Sequence, residues 1–152
     1  MIIRDILNMK GNAIVSIAPQ GTVAEAVGLM VRHDIGSLVV MRDGEMAGML
    51  TFREVLHELE ARGGNLGDAR VGDVMVTDPI VGQPSESVDH LREVMTQNHV
   101  RYLPVKEGDK LLGVISFHDV AKAAINMASF ENRLLKRYIK HWPDEDEPAR
   151  KQ

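Results

Sequence analysis

Apolar residues recur at Val23, Ala26, Val27 and Met30, the spacing of a helix that buries one face. Val88, Leu91 and Met95 repeat that stripe, and Thr22 and Ser87 stand just ahead of the two runs as N-caps. Each predicted helix is followed by two short apolar runs that read as strands. These are Ser37–Met41 and Met46–Leu50, then Tyr102–Val105 and Leu111–Ile115. The polar breaks between them, Arg42-Asp43-Gly44-Glu45 and Glu107-Gly108-Asp109, carry hairpin chemistry. A further helix opens at Phe52 and again at Phe117. Each block is preceded by a helical turn, Ile3–Leu7 or Val71–Met75. A β-rich run comes next, Ala13–Ile17 or Ile80-Val81, closed by Pro19 or Pro84. The predicted order per block is βαββα.

The two blocks are one unit written twice. Val23–Leu56 and Val88–Ala121 align without a gap at a spacing of 65, with seven of 34 positions identical. The identities (Val23/Val88, Met30/Met95, Leu38/Leu103, Val40/Val105, Gly48/Gly113, Phe52/Phe117 and Val55/Val120) fall at apolar and glycine positions, which set a fold. The leading helical turns are related by 68 instead of 65, so three residues are lost or gained before the first strand. Two copies are too few for a solenoid. They predict similar halves packed face to face, with paired clefts along the seam. The expected layout is a first repeat over 1–62, a glycine-rich link over 63–68, a second repeat over 69–126, and a helix with a charged tail over 127–152. Ala121–His141 is continuously helix-compatible, with Ala124, Ile125, Ala128, Leu135 and Ile139 on one stripe, and Pro143–Pro148 reads as a solvated tail.

Composition narrows the chemistry. Apolar residues make up 44% of the 152 positions and aromatics only 4%, so the core is aliphatic. There is no cysteine, which excludes disulfides, thiolate nucleophiles and cysteine-bound metal. A net charge of −4 argues against a nucleic-acid reader. No apolar run nears the length of a membrane span, and the first residues carry no signal-peptide core. A cytoplasmic protein with no membrane or nucleic-acid partner is expected.

The pattern that closes each repeat could carry function. It reads Gly48-Met49-Leu50-Thr51-Phe52-Arg53-Glu54 in the first copy and Gly113-Val114-Ile115-Ser116-Phe117-His118-Asp119 in the second. A strand ends at a hydroxyl that opens a helix, with a carboxylate three residues on. Free N–H groups and the helix dipole favour an anion there, and the acid can accept from sugar hydroxyls. The same residues form capping boxes, which need no ligand. The six histidines show no metal-binding array, although His99 and His118 lie near the proposed anion positions. No phosphate loop, serine elbow or nucleophile–base set appears, so no catalysis is expected.

Taken together, the double βαββα order, the segments Leu38-Val39-Val40 and Leu103-Pro104-Val105, the Arg101–Val105 run and the closing motif make residues 1–126 resemble a tandem pair of CBS domains, a Bateman module. The resemblance implies an α/β fold of two pseudo-symmetric repeats packed as one module, with a C-terminal helical extension. It implies two clefts for adenosine nucleotides: AMP first, or ATP or NAD. Ser116 and Thr51 would meet phosphate, and Asp119 and Glu54 the ribose. Arg101 would reach phosphate, and backbone near Ile17 and Ile80 would frame the base. The first copy departs from the family pattern: Glu54 replaces Asp, Gly36 stands where Arg101 stands, and Val39 replaces Pro104. The Ser116/Asp119 site is therefore expected to bind more tightly. The implied protein is a homodimeric, metal-independent sensor that acts on a separate effector protein. A nucleotide-independent dimeric scaffold and a nucleotide hydrolase remain open.

Overall fold

Strands β2 (Ser37–Arg42) and β3 (Glu45–Thr51) form one antiparallel hairpin, and β4 (Tyr102–Glu107) and β5 (Lys110–Ser116) form another. The computed structural model describes residues 1–11 and 13–140. The remaining elements are α1 (Ile3–Lys10), β1 (Ser16–Ile17), α2 (Val23–His33), α3 (Phe52–Ala61), α4 (Val71–Val74), α5 (Val88–Gln97) and α6 (Phe117–Lys140). The chain divides into a unit over residues 1–120 and a second from Ala121 onward. Both hairpins keep the same register: Val40 pairs with Gly48 and Val105 with Gly113, each just before a β-bulge. The duplication thus extends to an irregularity in the sheet. Asp43 and Gly44 both take positive φ in the first turn, as an Asp-Gly hairpin requires.

The first sheet has three strands because β1 lies parallel to β2, through Ser16/Val39 and Ile17/Val40. It is shorter than the expected Ala13–Ile17. In the second copy the expected strand Ile80-Val81 does not form, and only a single parallel bridge joins Gly82 to Val105. The reason is Pro104. In the first copy the Val39 amide donates to the Val15 carbonyl at 3.1 Å. Pro104 occupies the matching position and has no N–H to give. The surviving contacts avoid that donor: Gly82 N–H donates to the Pro104 carbonyl, and Lys106 N–H to the Gly82 carbonyl.

The expected caps are present. The Thr22 and Ser87 hydroxyls each accept from the amide three residues on, at 3.1 Å. The core is aliphatic, with Leu38, Val40, Leu50, Leu103, Val105 and Ile115 almost wholly buried.

The leading helices are exchanged between the copies. Ile3 N–H donates to the Glu86 carbonyl, Arg4 N–H to Pro84, and Val88 N–H to Met1. Their counterparts run the other way: Val71 N–H to Gly21, Gly72 N–H to Pro19, and Val23 N–H to Ala69. Ala69 and Val71 are accordingly buried in one cluster with Val23, Leu38, Val40 and Leu50 of the first copy. The first copy's core is thus completed by a segment expected in the second, while Ile3 and Leu7 of α1 pack against Gly82 and Gly113 of the second copy.

The described part of the second unit is helical. Ile125, Phe130, Leu134, Leu135 and Ile139 are exposed along it. The charged tail expected at 143–148 lies outside the described residues.

Candidate functional site

The first repeat's closing motif meets the second repeat across a cleft of about 860 Å³. Four groups of residues line it. Strand β3 and helix α3 give Met49, Thr51, Phe52, Arg53, Glu54, Leu56 and His57. The chain after α4 gives Val76, Asp78, Pro79 and Ile80. The end of α5 and its turn give Met95, Thr96, Asn98, His99 and Val100. Arg101 and Tyr102 at the start of β4, with Phe117 at the start of α6, complete it.

Local chemistry places these groups. Val76 pairs with Met49 through two backbone hydrogen bonds of 2.8 and 3.0 Å, which draws the chain after α4 across the end of β3. Gly48 permits this approach, because a Cβ there would collide with the Val76 carbonyl oxygen. Phe52 N–H donates to the Gly36 carbonyl, and Phe117 N–H to the Arg101 carbonyl. Both helix starts are thereby tied to matching positions of the two copies.

Thr51 and Glu54 form a capping box. The Glu54 Oε1 accepts from the Thr51 amide at 3.0 Å and from its hydroxyl at 2.9 Å, and the hydroxyl accepts from Arg53 N–H at 3.3 Å. Both protein donors fall on Oε1. Arg53 and Arg101 are exposed and form no ion pair among the described residues. Phe52, Phe117, Val76 and Ile80 present apolar surface at the same cleft, each more than a third exposed. The cleft is thus lined by two arginines that form no ion pair among the described residues, a helix start, a carboxylate and an apolar face, which suits an anionic ligand with an aromatic or apolar part.

The second closing motif has different surroundings. Ser116 N–H donates to Asp119 Oδ2 at 2.8 Å, and Asp119 N–H donates to the Ser116 hydroxyl at 3.0 Å. Lys10 Nζ donates to the same Oδ2 at 2.6 Å. Burial pushes the Asp119 carboxyl up, but Lys10 and Ser116 outweigh it and hold the group below the ordinary carboxylate value. Burial and the negative charge of Asp119 raise the Tyr102 phenol, and Arg101 opposes them.

Of the residues singled out from sequence, Thr51, Glu54, Ile80 and Arg101 come together, with His99 beside them. Ser116, His118 and Asp119 do not line this cleft, and Ile17 lies in a separate open groove against Ala24, Gly28 and Arg32. Arg101 therefore lines the cleft of the first copy's closing motif, beside Phe117 of its own. Phe52 and Phe117 were legible only as a repeated helix start; their shared place at the cleft depends on the pairing of the copies. Among the described residues no group of three or more His, Asp or Glu gathers to hold a metal. No helix there is long and apolar enough to cross a membrane.

A family model for the CBS domain matches residues 3–61 and 71–126, so the chain belongs to the CBS-domain family. CBS-domain pairs are regulatory modules. The chain is 31% identical over 119 residues to the CBS domain-containing protein YhcV of Bacillus subtilis (strain 168), covering 78% of this chain and 82% of YhcV. The crystal structure of the CBS-domain containing protein ATU1752 from Agrobacterium tumefaciens matches with a TM-score of 0.78 at 32% identity, over 82% of this chain and 99% of that one. The CBS domain pair of protein MJ0100, in complex with 5′-methylthioadenosine and S-adenosyl-L-methionine, matches with a TM-score of 0.72 over 84% of this chain and 98% of that one. Its 19% identity makes that likeness one of fold.

Proposed function

We propose that this protein is a ligand-sensing regulatory module that binds an adenosine nucleotide in the cleft of Thr51, Glu54, Ile80 and Arg101. The observation that carries this reading is the meeting of Arg53 and Arg101, which form no ion pair among the described residues, with the α3 start and the exposed faces of Phe52, Phe117 and Ile80. Arginine forks suit phosphate, the helix start favours negative charge, and the rings suit a purine. Oε2 of Glu54 accepts no hydrogen bond among the described residues, so it is available to ribose hydroxyls. AMP is the first candidate, with ATP and NAD next. The adenosine ligands bound by MJ0100 support the class but not the choice.

The cleft draws its walls from both repeats, so a ligand that fits it biases how they pack. Differential affinity for two packings is what makes binding a signal. The output then passes to a separate effector protein. The test is thermal unfolding in AMP, ADP, ATP, NAD and S-adenosylmethionine. At a hundredfold excess over Kd, a ligand specific for the folded state adds about 2.7 kcal/mol. A melting temperature that none of the five moves would overturn the reading.

The exposed Ile125, Phe130, Leu134, Leu135 and Ile139 favour a second reading, a homodimeric scaffold that needs no nucleotide. Sedimentation of the full chain with and without AMP separates the two, because the scaffold's assembly does not respond to the ligand.

A further inference from the structure

We propose that Lys10 is a built-in occupant of the Ser116/Asp119 site, holding it closed while the Thr51/Glu54 cleft stays open. The inference rests on the nucleotide-binding reading of the closing motifs. It explains why two equivalent motifs have unequal surroundings.

The cause lies in the three residues by which the leading segments differ. Helix α1 spans eight residues and α4 only four. α4 ends at Val74, and the chain then pairs Val76 with Met49 beside the open cleft. α1 is anchored on the second copy by Ile3 and Arg4, and it passes Leu7 under Gly113, where an added Cβ would lie 2.9 Å from Leu7 Cδ2. It then runs almost one further turn to Lys10. Leu7 and Lys10 are three apart and share a helix face, so the turn that packs Leu7 on β5 also brings Lys10 to Asp119. Gly11, with φ +88, ends the helix there.

The contact has the character of a closed site. Nζ and Oδ2 are 2.6 Å apart, and the two side chains retain only 34% and 20% of their exposure. Oδ2 accepts from Lys10 and from the Ser116 amide, so an ammonium lies against the carboxylate that a ribose would need. Glu54 has no such partner among the described residues: at the spacing of the leading segments, the counterpart of Lys10 is the acid Asp78. A ligand entering the second site must first displace a cation, whereas one entering the first displaces no ion pair. The chain therefore takes one nucleotide, and removing the ammonium frees a second place.

The experiment is calorimetric titration of the full chain with AMP, for the wild type, Lys10→Met and Lys10→Arg, with circular dichroism confirming that each is folded. One equivalent per chain is expected for the wild type and Lys10→Arg, and two for Lys10→Met. Two equivalents in the wild type would overturn the role of Lys10 and leave nucleotide binding intact. So would one equivalent in all three proteins. No binding in the wild type with one equivalent in Lys10→Met would support the latch while overturning the open-cleft reading. No binding in any of them would overturn both.

Discussion

The phenol oxygen of Tyr102 fills the space that a side chain on Gly36 would need. A Cβ at residue 36 would collide with the Tyr102 hydroxyl and with Phe52 Cε2. Gly36 is the first-copy counterpart of Arg101, so a large side chain survives in only one of the two copies. Gly36→Ala is expected to push Tyr102 and Phe52, both lining the cleft, out of place. Overpacking of this kind costs about 1–3 kcal/mol. Urea denaturation reads the stability, and titration with AMP reads the cleft; both are expected to weaken.

Gly48 and Gly113 test the same relationship at equivalent positions. A methyl at Gly48 meets the Val76 backbone carbonyl, which two hydrogen bonds hold against β3. A methyl at Gly113 meets the end of the Leu7 side chain, which can change rotamer. Gly48→Ala is therefore expected to destabilise more than Gly113→Ala, by about 1 kcal/mol or more. Equal urea midpoints for the two variants would contradict the account of the chain crossing at Val76.

Asp119 gives a pH dependence of defined sign. Its carboxyl is held below the ordinary value when folded, so the unfolded chain takes up the proton first as pH falls. The stabilisation is complete above the unfolded value of about 4 and is lost as pH falls through the folded value. Hydrogen bonds to a charged group contribute about 1.5–3 kcal/mol. Asp119→Asn is expected to be less stable than the wild type by roughly that amount at pH 7, with the gap closing below about pH 4. Urea midpoints across pH 3–7 measure it; a gap that stays constant would mean the charge contributes nothing.

Pro104→Val restores the donor that the second copy lacks. The new amide is expected to reach the Ile80 carbonyl, as Val39 reaches Val15 in the first copy. Amide exchange at residue 104 would then be slowed at least about tenfold relative to an exposed amide. Exchange at the unprotected rate would show that something besides the missing N–H prevents the strand.

Much of this architecture is legible in the residues. Helix faces, hairpin turns and the Thr22 and Ser87 caps follow from local spacing, because the forces that set them act within a few residues. The short strand expected at Ile80-Val81 does not form although its obstacle is in the sequence: Pro104 cannot donate, but that matters only where it stands opposite. The exchange of α1 and α4 was not legible, since bonds such as Ile3 to Glu86 span the chain and leave no local pattern. The placement of Arg101 opposite Thr51 and Glu54 follows from how the copies meet, as does the contact of Lys10 with Asp119. What the sequence did mark is the set of chemically capable residues; the pairing of the copies decides which of them share a cleft.

The most direct test of the central claim is calorimetric titration of AMP into the wild type, Arg101→Ala, Glu54→Ala and Asp119→Ala, each verified as folded by circular dichroism. Loss of a charge-assisted contact corresponds to about a 10- to 100-fold weaker Kd. That loss is expected for Arg101→Ala and Glu54→Ala, with Asp119→Ala retaining a site of wild-type affinity. Loss of that site in Asp119→Ala, with Arg101→Ala and Glu54→Ala unaffected, would contradict the assignment of the nucleotide to the Thr51/Glu54 cleft.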